Sequence, residues 1–333
     1  MYSLRNKTVL ITGGTGSFGK ACVKRLLEKH KPHRIRVFSR DELKQWNMQR
    51  YYGDNPKIRF LIGDVRDADR VRRASEGVDI IIHAAALKQV PACEYNPMEA
   101  VKTNVGGAMN VIDAALDNNV PRVIALSTDK AAAPVNTYGA TKLVSDRLFI
   151  QSNAYRGPNR DTRFSVVRYG NVMASRGSVI PLFKKQKEKG ELTITHPEMT
   201  RFWITLPQAV DFVLSCLSMM HGGELFVPKI PTMKIIDLAK VIAPGAKCRI
   251  VGIRPGEKLH ECLITGEEGR YAHELKDRYI ILSASAREWN QDPNTYTRAK
   301  KIREGFEYHS HTNKHILSER NMERLLATIA FDE

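Results

Sequence analysis

Residues 9–20 read VLITGGTGSFGK. The apolar run Thr8–Thr12 ends in a turn where Gly13, Gly16 and Gly19 recur three apart, and a helical pattern begins at Gly19. Glycine at such points lets the backbone turn tightly and approach a pyrophosphate. The N-terminus of the next helix adds unpaired N–H donors and a positive dipole end. Alone the pattern is weak; between strand and helix it predicts a dinucleotide cradle made by Gly13, Thr15, Gly16, Ser17, Phe18 and Gly19.

Outward from that loop, short apolar runs alternate with longer amphipathic ones. The spacing predicts strands at Thr8–Thr12, Ile35–Phe38, Ile58–Ile62, Ile80–His83, Val123–Ser127 and Ser165–Arg168. Between them it predicts helices over Gly19–Glu28, Asp41–Tyr51, Asp67–Ala74, Pro97–Asn118 and Tyr138–Ala154. Near-continuous hydrophobic strands separated by helices belong to a parallel sheet covered on both faces. The expected fold is therefore α/β, a Rossmann-like doubly wound sheet over residues 1–170. After Tyr169 the rhythm breaks, with helices at Pro207–Met219 and Lys234–Ile242 among Pro- and Gly-punctuated loops. Residues 171–333 are read as a smaller substrate-binding region, the chain crossing back to the first lobe.

The end of the second strand selects the dinucleotide. An acidic residue there would hold the 2′-hydroxyl of NAD, whereas a basic one suits the 2′-phosphate of NADP. The chain reads VFSRDELK, so Ser39, Arg40 and Lys44 favour NADP, with Asp41 fitting the start of the next helix. Asp64, followed by Val65, could accept from an adenine amino group or could cap the Asp67 helix. Ala84, Ala85 and Ala86 offer small side chains along the cofactor's path. Thr103 and Asn104 could brace the surrounding loops. Lys88 could touch cofactor or substrate, or face solvent.

Tyr138 and Lys142 stand four apart at the start of a predicted helix, which puts both functional groups on one face. A neighbouring ammonium favours the phenolate, so the tyrosine is expected below its usual pKa of about 10 and able to take a proton from a hydroxyl. Such a pair is unspecific by itself. Behind a dinucleotide loop and a strand ending Ser127-Thr128 it becomes a strong signal.

These residues resemble the extended short-chain dehydrogenase/reductase superfamily. The stretch LSTDKAAAPVNTYGATK narrows the resemblance, because Asp129-Lys130 after Thr128 is the pattern of the inverting UDP-N-acetylglucosamine 4,6-dehydratases. HAAALKQVPACEYNP, RYGNVMASRGSVIPLF, MTRFWIT, FVPKIPTMK and GIRPGEKLHE look like that family too. The resemblance implies the first step of pseudaminic acid biosynthesis. Thr128 and Tyr138 would hold the sugar 4-hydroxyl, and Tyr138 would take its proton while NADP accepts hydride. Lys130, made neutral by burial and by the charge of Lys142, would remove the C5 proton. Asp129 would protonate the leaving 6-hydroxyl. By the same resemblance Asn171, Ser178, Val179 and Ile180 would line the nucleotide pocket. Arg201 and Arg254 would meet the diphosphate, though a surface ion pair explains either as well, and Glu257 would hold a ribose hydroxyl. The segment YHSHTNKHIL departs from the family, so a nucleotide contact from Asn313 is not carried over.

The chain has 333 residues, with 52 basic against 36 acidic ones leaving a net charge of +16. That charge suits phosphorylated ligands, nucleic acid or an acidic surface equally, and it is spread along the chain. The five cysteines show no paired spacing, which argues for a reducing compartment and against a zinc site. His260 beside Glu261, and His309 with His311, lack zinc-type spacing. No apolar run reaches the length of a membrane span and no signal peptide is apparent, so the chain reads as cytoplasmic. The expected partner is a UDP-sugar, with no nucleic acid, no membrane and assembly as a homo-oligomer. Three rivals remain: a UDP-N-acetylhexosamine 4-epimerase, which needs Tyr138 and Lys142 but not Asp129-Lys130; a dehydratase of another surface-sugar pathway; and an inactive NADP sensor that binds nucleic acid.

Overall fold

The computed structural model describes residues 2–157, 160–173, 175, 177–283, 296 and 298–329. Residues 174 and 176 of the RYGNVMASRGSVIPLF stretch lie outside them. The chain opens with β1 (Thr8–Thr12), α1 (Ser17–Lys29), β2 (Arg34–Ser39), α2 (Glu42–Tyr52), β3 (Ile58–Ile62), α3 (Ala68–Ser75) and β4 (Ile80–His83). Then come α4 (Val90–Tyr95), α5 (Pro97–Val101), a π-helical turn (Lys102–Gly106), α6 (Gly107–Asp117), β5 (Arg122–Thr128), α7 (Thr137–Gln151) and β6 (Arg163–Tyr169). The strands are β-branched and buried along their whole length in β1 and β4, as a sheet covered on both faces requires. They pair in parallel in the order β3-β2-β1-β4-β5-β6, the doubly wound arrangement. Helix α3 packs with α6 and α6 with α7, while α1 packs with a later helix on the opposite side.

One expected helix is not continuous. Pro97–Asn118 is interrupted by the π turn, which carries Thr103 and Asn104 into the interior. The Asn104 side chain explains why the wider turn is held. Its Oδ1 accepts from Leu87 N at 2.8 Å, and its Nδ2 donates to Leu87 O and Thr141 Oγ1 at 3.0 Å each. Such bulges occur often at functional sites.

The second half contains β7 (Asn171–Val172), α8 (Val179–Lys187), β8 (Glu191–Ile194), β9 (Thr200–Ile204), α9 (Leu206–Met219), β10 (Leu225–Pro228), β11 (Thr232–Lys234) and α10 (Ile235–Ile242). It ends with β12 (Lys247–Ile250), β13 (Cys262–Ile264), α11 (Gly266–Gly269), β14 (Ala272–Glu274), β15 (Arg278–Ile281), β16 (Lys300–Lys301), β17 (Tyr308–His309) and α12 (Glu319–Thr328). Strand β10 rejoins the main sheet parallel to β6, and β15, β14 and β16 extend it antiparallel. Helix α9 is the partner of α1. A second core, formed around Ile180, Phe183, Leu192, Trp203, Leu238 and Met322, supports the three-stranded β11-β9-β7 sheet and the β12-β8 pair. The carboxyl ends of β1, β4, β5 and β6 therefore face a lobe built from later sequence.

Candidate active site

At the carboxyl end of β1 the chain turns through Gly13 at φ +66°, where a side chain would be strained. A Cβ there would also lie 2.9 Å from the backbone of Ala85. Thr12 fixes this approach: its Oγ1 pairs with His83 Nδ1 at 2.8 Å and accepts from the amides of Ala84 and Ala85. Burial, with the nearby Lys142 charge, lowers the His83 pKa to about 3, so the ring is neutral. Helix α1 begins at Gly16 without a side-chain cap and has no acidic residue in its first turn. Its leading amides are thus free to meet an anion.

This loop forms one wall of a cleft of about 620 Å³. Every residue assigned to the cofactor from the sequence lines it, from the glycine loop through Ser39, Arg40, Lys44, Asp64, Val65, Ala84, Ala85, Ala86, Lys88 and Thr103 to Tyr138 and Lys142. The Thr103 hydroxyl is buried there without a hydrogen-bond partner. Asp41 caps α2 by accepting from Lys44 N at 2.9 Å and pairs with the Lys44 ammonium, while also lining the cleft. Asp67 caps α3, so Asp64 is not the cap; it pairs with Arg66 at 2.7 Å and Arg40 at 3.5 Å. Burial opposes ionisation of Asp64, but the two guanidinium groups hold its pKa below the ordinary carboxylate value.

At the mouth of β5 the chain makes a short turn over Asp129–Ala131 before α7. Asn136 caps α7, its Oδ1 accepting from Gly139 N at 2.7 Å and its Nδ2 donating to Gly256 O at 2.7 Å. Thr128 Oγ1 donates to Asp129 Oδ1 at 2.9 Å, and Lys130 Nζ lies 3.1 Å from the same oxygen. Asp129 is 1% exposed, and its other oxygen, Oδ2, has no hydrogen-bond partner. Thr128, Asp129, Lys130, Tyr138 and Lys142 all line the cleft. The five catalytic candidates are therefore brought together.

Their protonation in the ligand-free protein departs from the sequence-based expectation. Burial pushes Tyr138 up to about 12, more than the Lys130 charge and the Thr128 hydrogen bond bring it down. Lys130 is held as an ammonium, because Asp129 and Glu261 together outweigh its burial. Burial raises Asp129, helped by the Glu261 charge and opposed by Lys130. Lys142 is lowered by burial, against the pull of Asp146. Asp129, adjacent in sequence, and Glu261, which sequence spacing did not show, together decide the Lys130 charge.

Of the substrate candidates, Asn171 and Ser178 line the cleft, and Asn171 Oδ1 and Ser178 Oγ are buried without partners. Val179 opens α8 outside the cleft wall, and Ile180 is fully buried in the second core. Arg201 is not available to a diphosphate. Its guanidinium donates to the carbonyls of Thr200, Leu259 and Lys258 at 2.8–3.1 Å and lies 3.6 Å from Glu261. Arg254 is half exposed and 3.9 Å from Glu257, both away from the cleft wall. Asn313 donates to Ile230 O at 2.9 Å and closes its own loop. His260 bonds Thr200 Oγ1 at 2.8 Å and stacks on His311. Among the described residues no group of His, Cys, Asp or Glu is arranged to hold a metal ion, and no helix is long and apolar enough to cross a membrane.

The residue that sequence reasoning missed is Glu261. Its Oε1 lies 3.3 Å from Lys130 Nζ. The available signal was weak: an acidic residue directly before the short apolar run CLI of β13.

Gly139 gives the site its tightest tolerance. A Cβ there would sit 2.2 Å from the Lys130 carbonyl oxygen, backbone that can yield only by displacing the Asp129–Lys130 turn. Gly139→Ala is expected to destabilise the protein by about 1–3 kcal/mol, the usual range for overpacking, and to lower turnover along with it. Urea unfolding checks the first effect and steady-state kinetics the second.

A family profile described as polysaccharide biosynthesis protein matches residues 9–283. A Campylobacter jejuni protein named UDP-N-acetylglucosamine 4,6-dehydratase (inverting) is 52% identical over 323 residues, 95% of this chain and 96% of its own. A Rickettsia conorii protein named UDP-glucose 4-epimerase is 46% identical, covering 96% of each chain. The X-ray structure of Pen from Bacillus thuringiensis shares 40% identity over 98% of both chains, with a TM-score of 0.89.

Proposed function

The chain belongs to the polysaccharide biosynthesis protein family, and from that premise we propose that it is an NADP-dependent, C5-inverting UDP-N-acetylglucosamine 4,6-dehydratase. The observation that carries this reading is the Asp129-Lys130 pair, 3.1 Å apart on the cleft wall with Tyr138, the Asp129 Oδ2 buried without a hydrogen-bond partner. An epimerase needs neither residue. The uncapped α1 terminus, the Gly13 approach and the orphaned Thr103 hydroxyl fit a dinucleotide. Arg40 and Lys44, with Ser39, fit the 2′-phosphate of NADP at the end of β2. When bound, the oxidised nicotinamide supplies a hydride acceptor and a positive charge that offsets desolvation of the Tyr138 phenolate.

The residues then divide the work. Thr128 and Tyr138 orient the sugar 4-hydroxyl, and Tyr138 takes its proton as the C4 carbonyl forms. The ketone acidifies the C5 hydrogen. Transfer of one proton from Lys130 to Asp129, across their existing hydrogen bond, makes a neutral amine and a carboxylic acid at once. Lys130 removes the C5 proton; Asp129 gives its proton to the 6-hydroxyl, which leaves as water. Hydride returns to C6 from the reduced nicotinamide. A solvent-derived proton enters C5 from the opposite face and inverts that centre, balanced by release of the proton that Tyr138 took from the 4-hydroxyl. Electrostatic and acid–base help of this kind is worth about 10²–10⁴ in rate per group. Asn171 and Ser178 present unpaired polar atoms to the sugar nucleotide.

The reading extends to a homo-oligomer working in the cytoplasm on the first step of pseudaminic acid biosynthesis. The Rickettsia relative's name favours a second reading, 4-epimerisation. Purified protein incubated with UDP-N-acetylglucosamine and no reductant is expected to give a product lacking one water, and to release NADP on denaturation. Recovery of the C4 epimer with no dehydration would replace the first reading by the second.

A further inference from the structure

Lys130 has a second carboxylate that its own turn does not supply. Its ammonium is 3.1 Å from Asp129 Oδ1 and 3.3 Å from Glu261 Oε1. The Glu261 side chain is 2% exposed and does not line the cleft, so it can reach the reaction only through Lys130. Its backbone is fixed on both sides by Ser310, whose Oγ accepts from Glu261 N at 2.9 Å and whose amide donates to Glu261 O at 2.8 Å. Two further cations face it: Arg201 Nε at 3.6 Å and Lys258 Nζ at 4.0 Å. Lys258 is itself anchored, donating to Ala132 O at 2.6 Å.

We propose that Glu261 is a positioning residue for the acid–base pair, a permanently ionised counter-ion that holds the Lys130 ammonium at rest and directs its proton to Asp129. The proposal rests on the dehydratase reading for its catalytic meaning. Both carboxylates lie within reach of the Lys130 proton, but they differ in company. Glu261 has three cations within 4.0 Å; among the described residues the Asp129 side chain contacts Lys130 and the Thr128 hydroxyl, with Lys258 acting on it from farther off. Opposite charges within about 4–6 Å favour the ionised form of a carboxylate. The proton therefore stays off Glu261 and goes to Asp129, which lines the cleft and whose buried Oδ2 has no hydrogen-bond partner. The directions agree: burial works against both carboxylates, yet Asp129 is raised while the surrounding cations leave Glu261 lowered. The charged and titratable groups around Lys130 are Asp129 on its own turn, Lys88 after β4, Tyr138 on α7, Arg201 on β9, and Lys258 and Glu261 before β13. The three cations in that set reduce the proton affinity of Lys130. Only the two carboxylates hold it up.

The test reads the Lys130 charge without turnover. Acetic anhydride labels neutral amines, and peptide mass spectrometry resolves each lysine. In the ligand-free protein at mildly alkaline pH, Lys88, whose proton affinity is lowered by burial and by Lys130, is expected to label faster than Lys130. Glu261→Gln is expected to speed Lys130 labelling about tenfold or more, since loss of a contacting opposite charge moves a pKa by about 1–3 units. Glu261→Asp, which keeps the charge, is expected to stay within about threefold of the native protein. In turnover, Glu261→Gln is expected to lower kcat about tenfold or more with little change in KM. Unchanged Lys130 labelling in Glu261→Gln overturns the proposal, as does native Lys130 labelling faster than Lys88 should the variants not fold. A native protein that fails to dehydrate UDP-N-acetylglucosamine overturns the functional reading instead, and the labelling result stands apart from it.

Discussion

Lys130→Met is expected to lower dehydratase kcat about a thousandfold while leaving C4 oxidation in place. Methionine keeps an unbranched side chain, one heavy atom shorter, and removes the nitrogen that sits against Asp129 in the cleft. Loss of a general base costs about 10²–10⁴ in rate. Oxidation at C4 depends on Thr128 and Tyr138, which the change does not touch. Quenching the reaction with borodeuteride should therefore trap a sugar deuterated at C4 that still bears its 6-hydroxyl. Substrate affinity should move little, because Lys130 acts on the C5 proton and not in binding. Dehydration unaffected by the change would remove Lys130 from the elimination, and turnover that survives as C4 epimerisation alone would favour the epimerase reading.

The second large effect is at Tyr138. Tyr138→Phe is expected to reduce kcat about a thousandfold as well, and here the borodeuteride trap should return no C4-labelled sugar. The two variants thus fail at different bonds. Phenylalanine fits the same space, so folding should survive; the phenyl ring removes only the hydroxyl that hydrogen-bonds Thr128. A Tyr138→Phe enzyme that still accumulates the 4-ketone would remove the phenol from the first step.

The sheet was readable because buried parallel strands leave long apolar runs: Ile80–His83 and Thr8–Thr12 have no other plausible place. Strands β10, β14, β15 and β16 were not readable. They are two to four residues long, and they join the sheet only after the chain has passed through the second lobe. Nor does periodicity distinguish the π turn from the helix it interrupts, since only the Asn104 contacts across to Leu87 reveal it. The residues read as cofactor contacts line one cleft chiefly because many of them sit at a strand end or just beyond, where topology fixes the direction of the chain; Lys44, Thr103, Tyr138 and Lys142 reach it from helices.

Charge states were the least legible part. From spacing alone, Lys142 stands four residues from Tyr138 and is the natural influence on it, yet burial governs the phenol and the charge that counts most is that of Lys130. Arg201 reads in sequence as a diphosphate ligand. In the fold its planar fork is consumed by three carbonyls and Glu261, a role that depends on the backbone course of residues 258–259. Glu261 lies 131 positions from Lys130, and only the packing of β13 against the Asp129–Ala131 turn brings them together. Long-range ion pairs of this kind leave no local pattern.

The most direct test is proton NMR of the product formed from UDP-N-acetylglucosamine in deuterated water. A 4-keto-6-deoxy sugar with deuterium at C5 and the inverted, L-configured centre is the predicted result. The same sugar with the D-configuration kept at C5 would contradict the assignment of Asp129 and Lys130 as an inverting acid–base pair.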